Sequence, residues 1–425
     1  MWRSPETMTA ALIVLIFLIF AALMISRKMP AILAVPLMAV CFAVVARTPL
    51  NTILNDVMVG GAKQLVEAYL MVFAGAMLGR VVMQTGVAEG IIKRAAEFGG
   101  DQPLAVAITL MIGIGLLFTT LTGLGAIIMV GSLALPIMMS IGVPRKLAGV
   151  LFILAYGLGY VFNIAAWGFY QQTFKIEREP IRNFAIVLFV IDAIAVLIFL
   201  VIAARRMNKY GAWAVALDEP ASKRDVILLA LLLPILPLIL HIGVGWQVLP
   251  SFLISAVIGV LITRPTEIVK QLTSAAVKGL EDVAPAIILM IGIGMLLTST
   301  RLPGVREALQ PLIQGINFSS PFVYVLFFGL LSPLALYRGP LNIYGLGIGI
   351  FSLIASLNLL PATALVAAVM SLVQVQNACD PTNTHNVWVA NYVGMRVEET
   401  TKETLLFKVA ICIAGLVASS MLYLR

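Results

Sequence analysis

Gln374-Val375-Gln376-Asn377-Ala378-Cys379-Asp380-Pro381-Thr382-Asn383-Thr384-His385-Asn386 is the stretch that decides the reading of this chain. It follows an apolar run over 361–373, and hydrophobic sequence resumes at Val387. A carboxylate, an imidazole and a cluster of amides and hydroxyls are therefore expected at membrane depth. Pro381 lacks an N–H and blocks a continuous helix through the cluster. Irregular backbone is tolerated at that depth only where protein buries it or where it lines a wet cavity. Ionisable groups there are costly and mark transport paths or proton relays. The plain alternative is a polar loop between two helices.

Composition supplies the membrane. Hydrophobic residues make up 61% of the chain and charged residues 11%, and mean hydropathy is +1.04. A soluble domain is about a quarter charged. The chain is read as an all-α polytopic protein of the lipid bilayer, with room for roughly ten to twelve spans of about 20 residues. The net charge of +8 does not point to nucleic acid, because Lys and Arg in short loops set topology. Cys41, Cys379 and Cys412 lie in or beside apolar segments, without zinc or disulfide spacing. The first apolar run, 8–25, precedes Arg27-Lys28 rather than a small-residue cleavage site, so it reads as a retained helix.

Apolar segments are expected at about 8–26, 30–46, 66–84, 103–118, 126–141, 147–162, 184–204, 225–241, 247–263, 283–300, 321–336, 341–358, 361–377 and 405–424. The basic connection 205–224 divides the chain into an N-terminal repeat, 1–204, and a C-terminal repeat, 225–425. Lys63 and Glu67 align with Lys278 and Asp282, Gly79 with Gly294, Gly113 with Gly329, Thr122-Gly123 with Arg338-Gly339, and Pro144 with Pro361. The offset stays between about 215 and 217 residues, the signal of a transporter built from internal repeats. Asn163 then falls on Asp380.

Placing 205–224 in the cytoplasm makes the loop charges consistent if 103–141 and 321–358 are re-entrant hairpins and a broken helix follows each. The two repeats then have inverted topology, with both termini outside. Segments 51–64 and 266–282 read as amphipathic helices lying at the interface.

Four polar interruptions fall at comparable depth. They are Thr119-Thr120-Leu121-Thr122-Gly123-Leu124-Gly125, Tyr337-Arg338-Gly339-Pro340-Leu341-Asn342, the break from Tyr156 to Asn163, and the break across Gln374–Asn386. Helix ends at such breaks carry partial charges that hold ions. The expected substrate contacts are Thr119, Thr120, Thr122, Gly123, Asn163, Arg338, Gly339, Asn342, Gln376, Asn377, Thr382 and Asn383. Arg338 offers a guanidinium that binds a carboxylate bidentately, or pairs with Asp380. Asp380 and His385 are the expected ion-coupling groups, Asp380 by carrying a proton or sitting beside Na⁺. Asp192 reads as a paired buried acid, Arg80 as a structural partner of Glu67 or Glu89, and His241 as interfacial. No phosphate loop, HExxH run or nucleophile elbow is present, so no cofactor is expected beyond a Na⁺ near Asp380.

The run Leu78-Gly79-Arg80-Val81-Val82-Met83-Gln84-Thr85-Gly86-Val87-Ala88-Glu89-Gly90-Ile91 resembles a segment of the gluconate permease branch of the ion transporter superfamily. That group also holds citrate-transporter-like proteins and divalent-anion/sodium symporters, and the architecture inferred above resembles theirs. The resemblance implies secondary transport of a small organic anion with H⁺ or Na⁺, a homodimer in a bacterial inner membrane, and elevator motion. Scaffold helices would be about 8–64, 184–204, 225–282 and 405–424, and transport-domain elements about 103–180 and 321–396. The Ser-Asn-Thr signature of the symporters and the His/Pro-rich break of gluconate permeases are absent. Thr119-Thr120-Leu121-Thr122 and Val161-Phe162-Asn163-Ile164-Ala165 stand in their places.

The reading is thus a proton- or sodium-coupled carboxylate carrier and not an enzyme. A cation/proton antiporter of the same fold is the alternative, and an intramembrane enzyme would need a second catalytic group beside Asp380 or His385. The topology predicts that Ser222→Cys in intact cells resists an impermeant thiol reagent. Ready labelling would overturn the orientation.

Overall fold

A computed structural model describes residues 5–100, 102–207 and 227–424. Most of the connection 205–224 lies outside the described residues, and so does the residue chosen for labelling. The described chain is all helical, without strands. Among the described residues six helices are long and apolar enough to cross a membrane, or up to eight if each bent pair counts as one span. This is a multi-pass membrane protein.

The centre of the fold is a pair of long helices, Leu50–Gln84 and Pro265–Arg301. The expected interfacial helices 51–64 and 266–282 are not separate; each is the first half of one of these. Ile53, Val57 and Gly61 are buried while Leu54, Met58 and Val59 stay exposed, so one side of 51–64 is a packed helix face. Gly61 meets Met295 and Gly294, Gln64 accepts a hydrogen bond from Thr298 at 2.8 Å, and Met77 meets Gly279. Arg80 reaches Asp282, and Gln84 bonds Ser274 at 3.1 Å. Numbers rise along one helix as they fall along the other, so the pair is antiparallel. Small residues at the crossing let the backbones approach, the main source of helix association in lipid.

Around this pair the same order of elements occurs twice. Pro103–Phe118 and Leu124–Ser140 form the first hairpin, and Arg145–Tyr160 with Ile164–Phe174 form a broken helix bent by 54°. The second hairpin comprises Pro321–Leu330, Ser332–Arg338 and Gly347–Ser356. The second broken helix is Ala362–Cys379 followed by Thr384–Val393. Of its strongest apolar window 89% is buried, against 22% for Thr7–Ile25 and 33% for Arg178–Ala204. The broken helix is therefore the core, and those two helices lie at its outside.

Three boundaries differ from the sequence reading. The break expected across Gln374–Asn386 narrows to 380–383, because Gln374 to Cys379 stay helical up to the missing N–H of Pro381. The helix expected from 341 begins at Gly347, since residues 339–346 are tied in tight turns, with Leu346 N–H and Gly347 N–H bonded to Arg338 and Asn342 carbonyls. The span expected at 225–241 is a succession of short turns of helix between Leu228 and Gly243. Pro234 and Pro237 remove the donors that a regular helix needs. His241 is buried, its Nδ1 2.7 Å from the Trp246 carbonyl.

A Cβ on Gly294 would sit 2.2 Å from the Gly61 carbonyl oxygen, whereas one on Gly315 would meet open space. Overpacking of that kind costs about 1–3 kcal/mol. Gly294→Ala is expected to lower the melting temperature of the detergent-solubilised protein, and Gly315→Ala to leave it unchanged. Equal melting of the two would show that the long helices do not approach so closely.

Candidate functional site

The second hairpin turns through two residues with left-handed backbone, Tyr337 at φ 56° and Arg338 at φ 55°. Side chains larger than glycine pay about 1–3 kcal/mol each in such conformations. Asp380 explains why the turn holds. Its Oδ1 accepts from Tyr337 N–H at 3.0 Å, Thr382 N–H at 2.9 Å and the Thr382 hydroxyl at 2.7 Å. Its Oδ2 accepts from Arg338 N–H at 3.2 Å and Asn342 Nδ2 at 3.0 Å. Hydrogen bonds to a charged acceptor contribute about 1.5–3 kcal/mol each, enough to offset the strain. The carboxylate is fully buried, and these donors replace the water it has lost.

The first half uses the opposite polarity at the equivalent place. Asn163 is fully buried and donates through Nδ2 to the carbonyls of Phe118 at 3.0 Å and Leu121 at 3.3 Å. Its Oδ1 caps the next helix by accepting from Ala166 N–H at 3.1 Å. One hairpin tip is thus held by its carbonyls and the other by its N–H groups.

Both tips and both breaks border one cavity of about 1060 Å³. Of the substrate and ion contacts expected from sequence, Thr122, Gly123, Asn163, Arg338, Asn377, Thr382, Asn383 and His385 line it, beside Arg80 and Tyr156. The others stand behind it. Thr119 and Thr120 bond the carbonyls of Leu116 and Leu117. Gly339 lets the backbone pass close to the Leu334 carbonyl. Asn342 bonds the Ala335 carbonyl as well as Asp380, and Gln376 accepts from Ile343 N–H at 3.1 Å. Asn383 reaches back to the Gln376 carbonyl at 2.7 Å, and His385 Nε2 lies 2.6 Å from the Asn377 carbonyl.

Arg338 contributes its N–H, not its guanidinium, to Asp380. The guanidinium bonds the Tyr344 carbonyl at 3.2 Å and borders the cavity. Tyr344 and Tyr160 share a hydrogen bond at 2.9 Å, and Tyr156 lies against His385 with ring centroids 4.6 Å apart. Phe118 and Phe169 extend this aromatic wall. Two buried polar atoms on cavity-lining residues, Thr122 Oγ1 and Asn377 Nδ2, have no protein partner among the described residues. Unpaired polar groups at such a place are where a ligand or water completes the hydrogen bonding.

The donor set around Asp380 does not fit Na⁺. Five hydrogens converge on a carboxylate with about four lone-pair sites, and each presents positive charge to any cation there. Sequence reasoning missed Tyr344 and Lys408, placed Asp282 only in the repeat alignment, and held Tyr160 only as part of the first break. Arg80 pairs with Asp282 at 2.5 Å rather than with Glu67 or Glu89, and Glu67 bonds Gln172 instead. Gly123 and Gly125 pack against Asp282, so the first tip rests on this ion pair. A polar residue inside an apolar helix, as Lys408 is within 405–424, was the available signal.

No family model matches this sequence, and no curated protein matches it. Among solved structures the chain is similar to the YdaH transporter of Alcanivorax borkumensis, a crystal structure described as having an unusual topology. The TM-score is 0.62 at 14% identity, over 88% of this chain and 88% of that one. The likeness shows a transporter fold.

Asp380→Asn leaves one acceptor oxygen and adds a donor where donors already converge. Each buried donor left without an acceptor costs about 1–3 kcal/mol. The variant is expected to melt earlier and to expose an added Leu341→Cys, a position now 2% exposed, to maleimide above the background of Cys41, Cys379 and Cys412. Unchanged melting and labelling would show that the carboxylate does not hold the turn.

Proposed function

We propose that the chain is a secondary active transporter of a small organic carboxylate, driven by protons. The observation that carries this reading is the cavity shared by two hairpin tips and two helix breaks, with the Arg338 guanidinium at its edge. Discontinuous helices around a common site suit alternating access. Among the described residues the guanidinium has one carbonyl partner, at Tyr344. A half-buried charge calls for a counter-charge, and a carboxylate substrate supplies it. Thr122, Asn377 and Thr382 would hold its polar groups, and the tyrosine and phenylalanine rings its carbon frame.

Asp380 serves this site by shaping the turn that presents Arg338. Protons are favoured over Na⁺ as the driving ion because the Asp380 donors oppose a cation. His385 stands at the cavity edge, bonded to a backbone carbonyl, and acts as a wall with Tyr156. An enzymatic reading has less support, since neither Asp380 nor His385 has a free partner for acid–base chemistry in this arrangement.

The two halves are read as inverted repeats of the ion transporter superfamily type, which the antiparallel long pair supports. The elevator scaffold then centres on that pair, with Pro5–Ile25, Ala31–Val45 and Val248–Thr263. Val397–Tyr423 fits better with the moving body than with the scaffold. It is joined to Ala362–Cys379 by Cys379–Thr404, Lys408–Gln374 and the Tyr324 hydroxyl, which bonds both Ala364 and Ser419. A homodimer in a bacterial inner membrane completes the proposal.

A thermal-shift screen of organic acids, with and without Na⁺, tests the reading, because a ligand of the folded state raises its stability. Arg338→Lys keeps the charge and loses the planar fork, so affinity for the best acid should weaken by roughly ten-fold or more, on the scale of one charge-assisted hydrogen bond. Unchanged affinity would return Arg338 to a structural role. Sodium movement against a pH gradient in proteoliposomes, without any organic acid, would replace the proposal with a cation/proton antiporter.

A further inference from the structure

A second charged pair lies behind the cavity and takes no part in the carboxylate site. Lys408 on Val397–Tyr423 and Asp192 on Arg178–Met207 are both fully buried. The ammonium lies 2.8 Å from Asp192 Oδ1, 3.0 Å from Oδ2 and 3.3 Å from Gln374 Oε1. A Cβ on Gly157 would sit 3.1 Å from the Lys408 nitrogen. Gly157 adjoins Tyr156, and Gln374 precedes Asn377 by one helical turn. Tyr156 and Asn377 both line the cavity, so a single layer of helix separates the pair from the site.

Stability alone does not account for such a pair. Replacing a buried ion pair by apolar residues of similar volume is often neutral or stabilising, and charge within a membrane helix is costly. The two buried carboxylates also differ in what they have left to offer. Asp380 is saturated by five donors, while Asp192 accepts from Lys408 alone among the described residues. Lone pairs on Asp192 remain open.

We infer that Asp192 is the proton-binding site, with Lys408 as its counter-ion. In the released state the pair is a carboxylate and an ammonium. On binding, H⁺ forms an O–H bond to one Asp192 oxygen while Lys408 keeps its three protons. The pair gains one proton and one positive charge, and no electrons are transferred. The ammonium then loses its counter-charge and leans on Gln374, the contact that carries the change to the second broken helix.

The other titratable groups of the surrounding helices do not offer a rival site. The Cys379 thiol is 3.2 Å from the Thr404 hydroxyl, and Asp380 is filled. Cys412 lies one turn along from Lys408 on the same helix, and Tyr156 faces the cavity.

The link to carboxylate movement rests on the transport reading above; the proton site itself does not. Infrared pH-difference spectra of the full chain in lipid vesicles, without added acid, are expected to show a carboxylic C=O stretch that shifts in heavy water. Asp192→Asn should lose that band, and Asp192→Glu should keep one at a shifted position. Absence of the band from the parent protein, or its persistence in Asp192→Asn, would overturn the inference. Where Asp192→Asn fails to fold, the double substitution Asp192→Asn with Lys408→Met removes both charges and leaves the same readout. Vesicles holding a pH-sensitive dye then test coupling, with succinate, citrate and gluconate as probes. The parent should acidify the lumen with at least one of them, and Asp192→Asn should lose most of that acidification while keeping carboxylate exchange. Full acidification by the variant sinks the inference. A parent that moves none of the three probes counts against the transport reading, and the infrared band decides the proton site by itself.

Discussion

The bonding of the Asp380 carboxylate to the N–H groups of Tyr337 and Arg338 is the interaction on which the rest of the site depends. A fully buried charge is costly unless hydrogen bonds replace its hydration. Two strained backbone residues are costly unless something over-determines them. Each problem is the other's solution. The turn supplies donors in the orientation the carboxylate needs, and the carboxylate makes the left-handed turn affordable. Pro381 contributes by ending the helix at Cys379, so that Asp380 projects from a break and not from a helical wall. The guanidinium of Arg338 reaches the cavity because its own backbone is fixed elsewhere.

The long antiparallel pair gives this assembly something rigid to rest on. Glycines at Gly61, Gly279 and Gly294 bring its backbones into contact, and the Arg80–Asp282 ion pair carries the tip of the first hairpin at Gly123 and Gly125. Gly123 has φ 88° at the entry to Leu124–Ser140, a conformation that disfavours any other residue. Packing and electrostatics therefore meet at one point, where an ion pair at the cavity border lies against a backbone that has no side chain to push it away.

Much of this was legible in the residues. Hydropathy marks the helices, and the spacing of Gly, Pro and polar residues marks both hairpin tips and both breaks. The register that sets Asn163 against Asp380 anticipates two residues that each fasten a tip to the break that follows it. What the sequence concealed depends on partners far along the chain. Nothing local pairs Arg80 with Asp282 or Asp192 with Lys408, since hundreds of residues separate them. The periodicity of 51–64 is the same whether a helix faces lipid or another helix. The prolines at 234 and 237 override the apolar run around them. Among the tip residues, sequence could not say which side chains face the cavity and which hold the turn from behind; Thr120 and Asn342 proved to be of the second kind.

Asn163 and Asp380 fasten the two tips with groups of different chemical character. An amide keeps the same charge at every physiological pH, and it holds its tip by giving hydrogens to carbonyls. A carboxylate holds its tip by receiving hydrogens, and it sets a negative charge behind that tip. A chain folded twice on one plan thus has two clasps of unequal kind. A buried charge lies behind the second tip and only a neutral amide behind the first, so the two halves present unlike fields to the cavity they share.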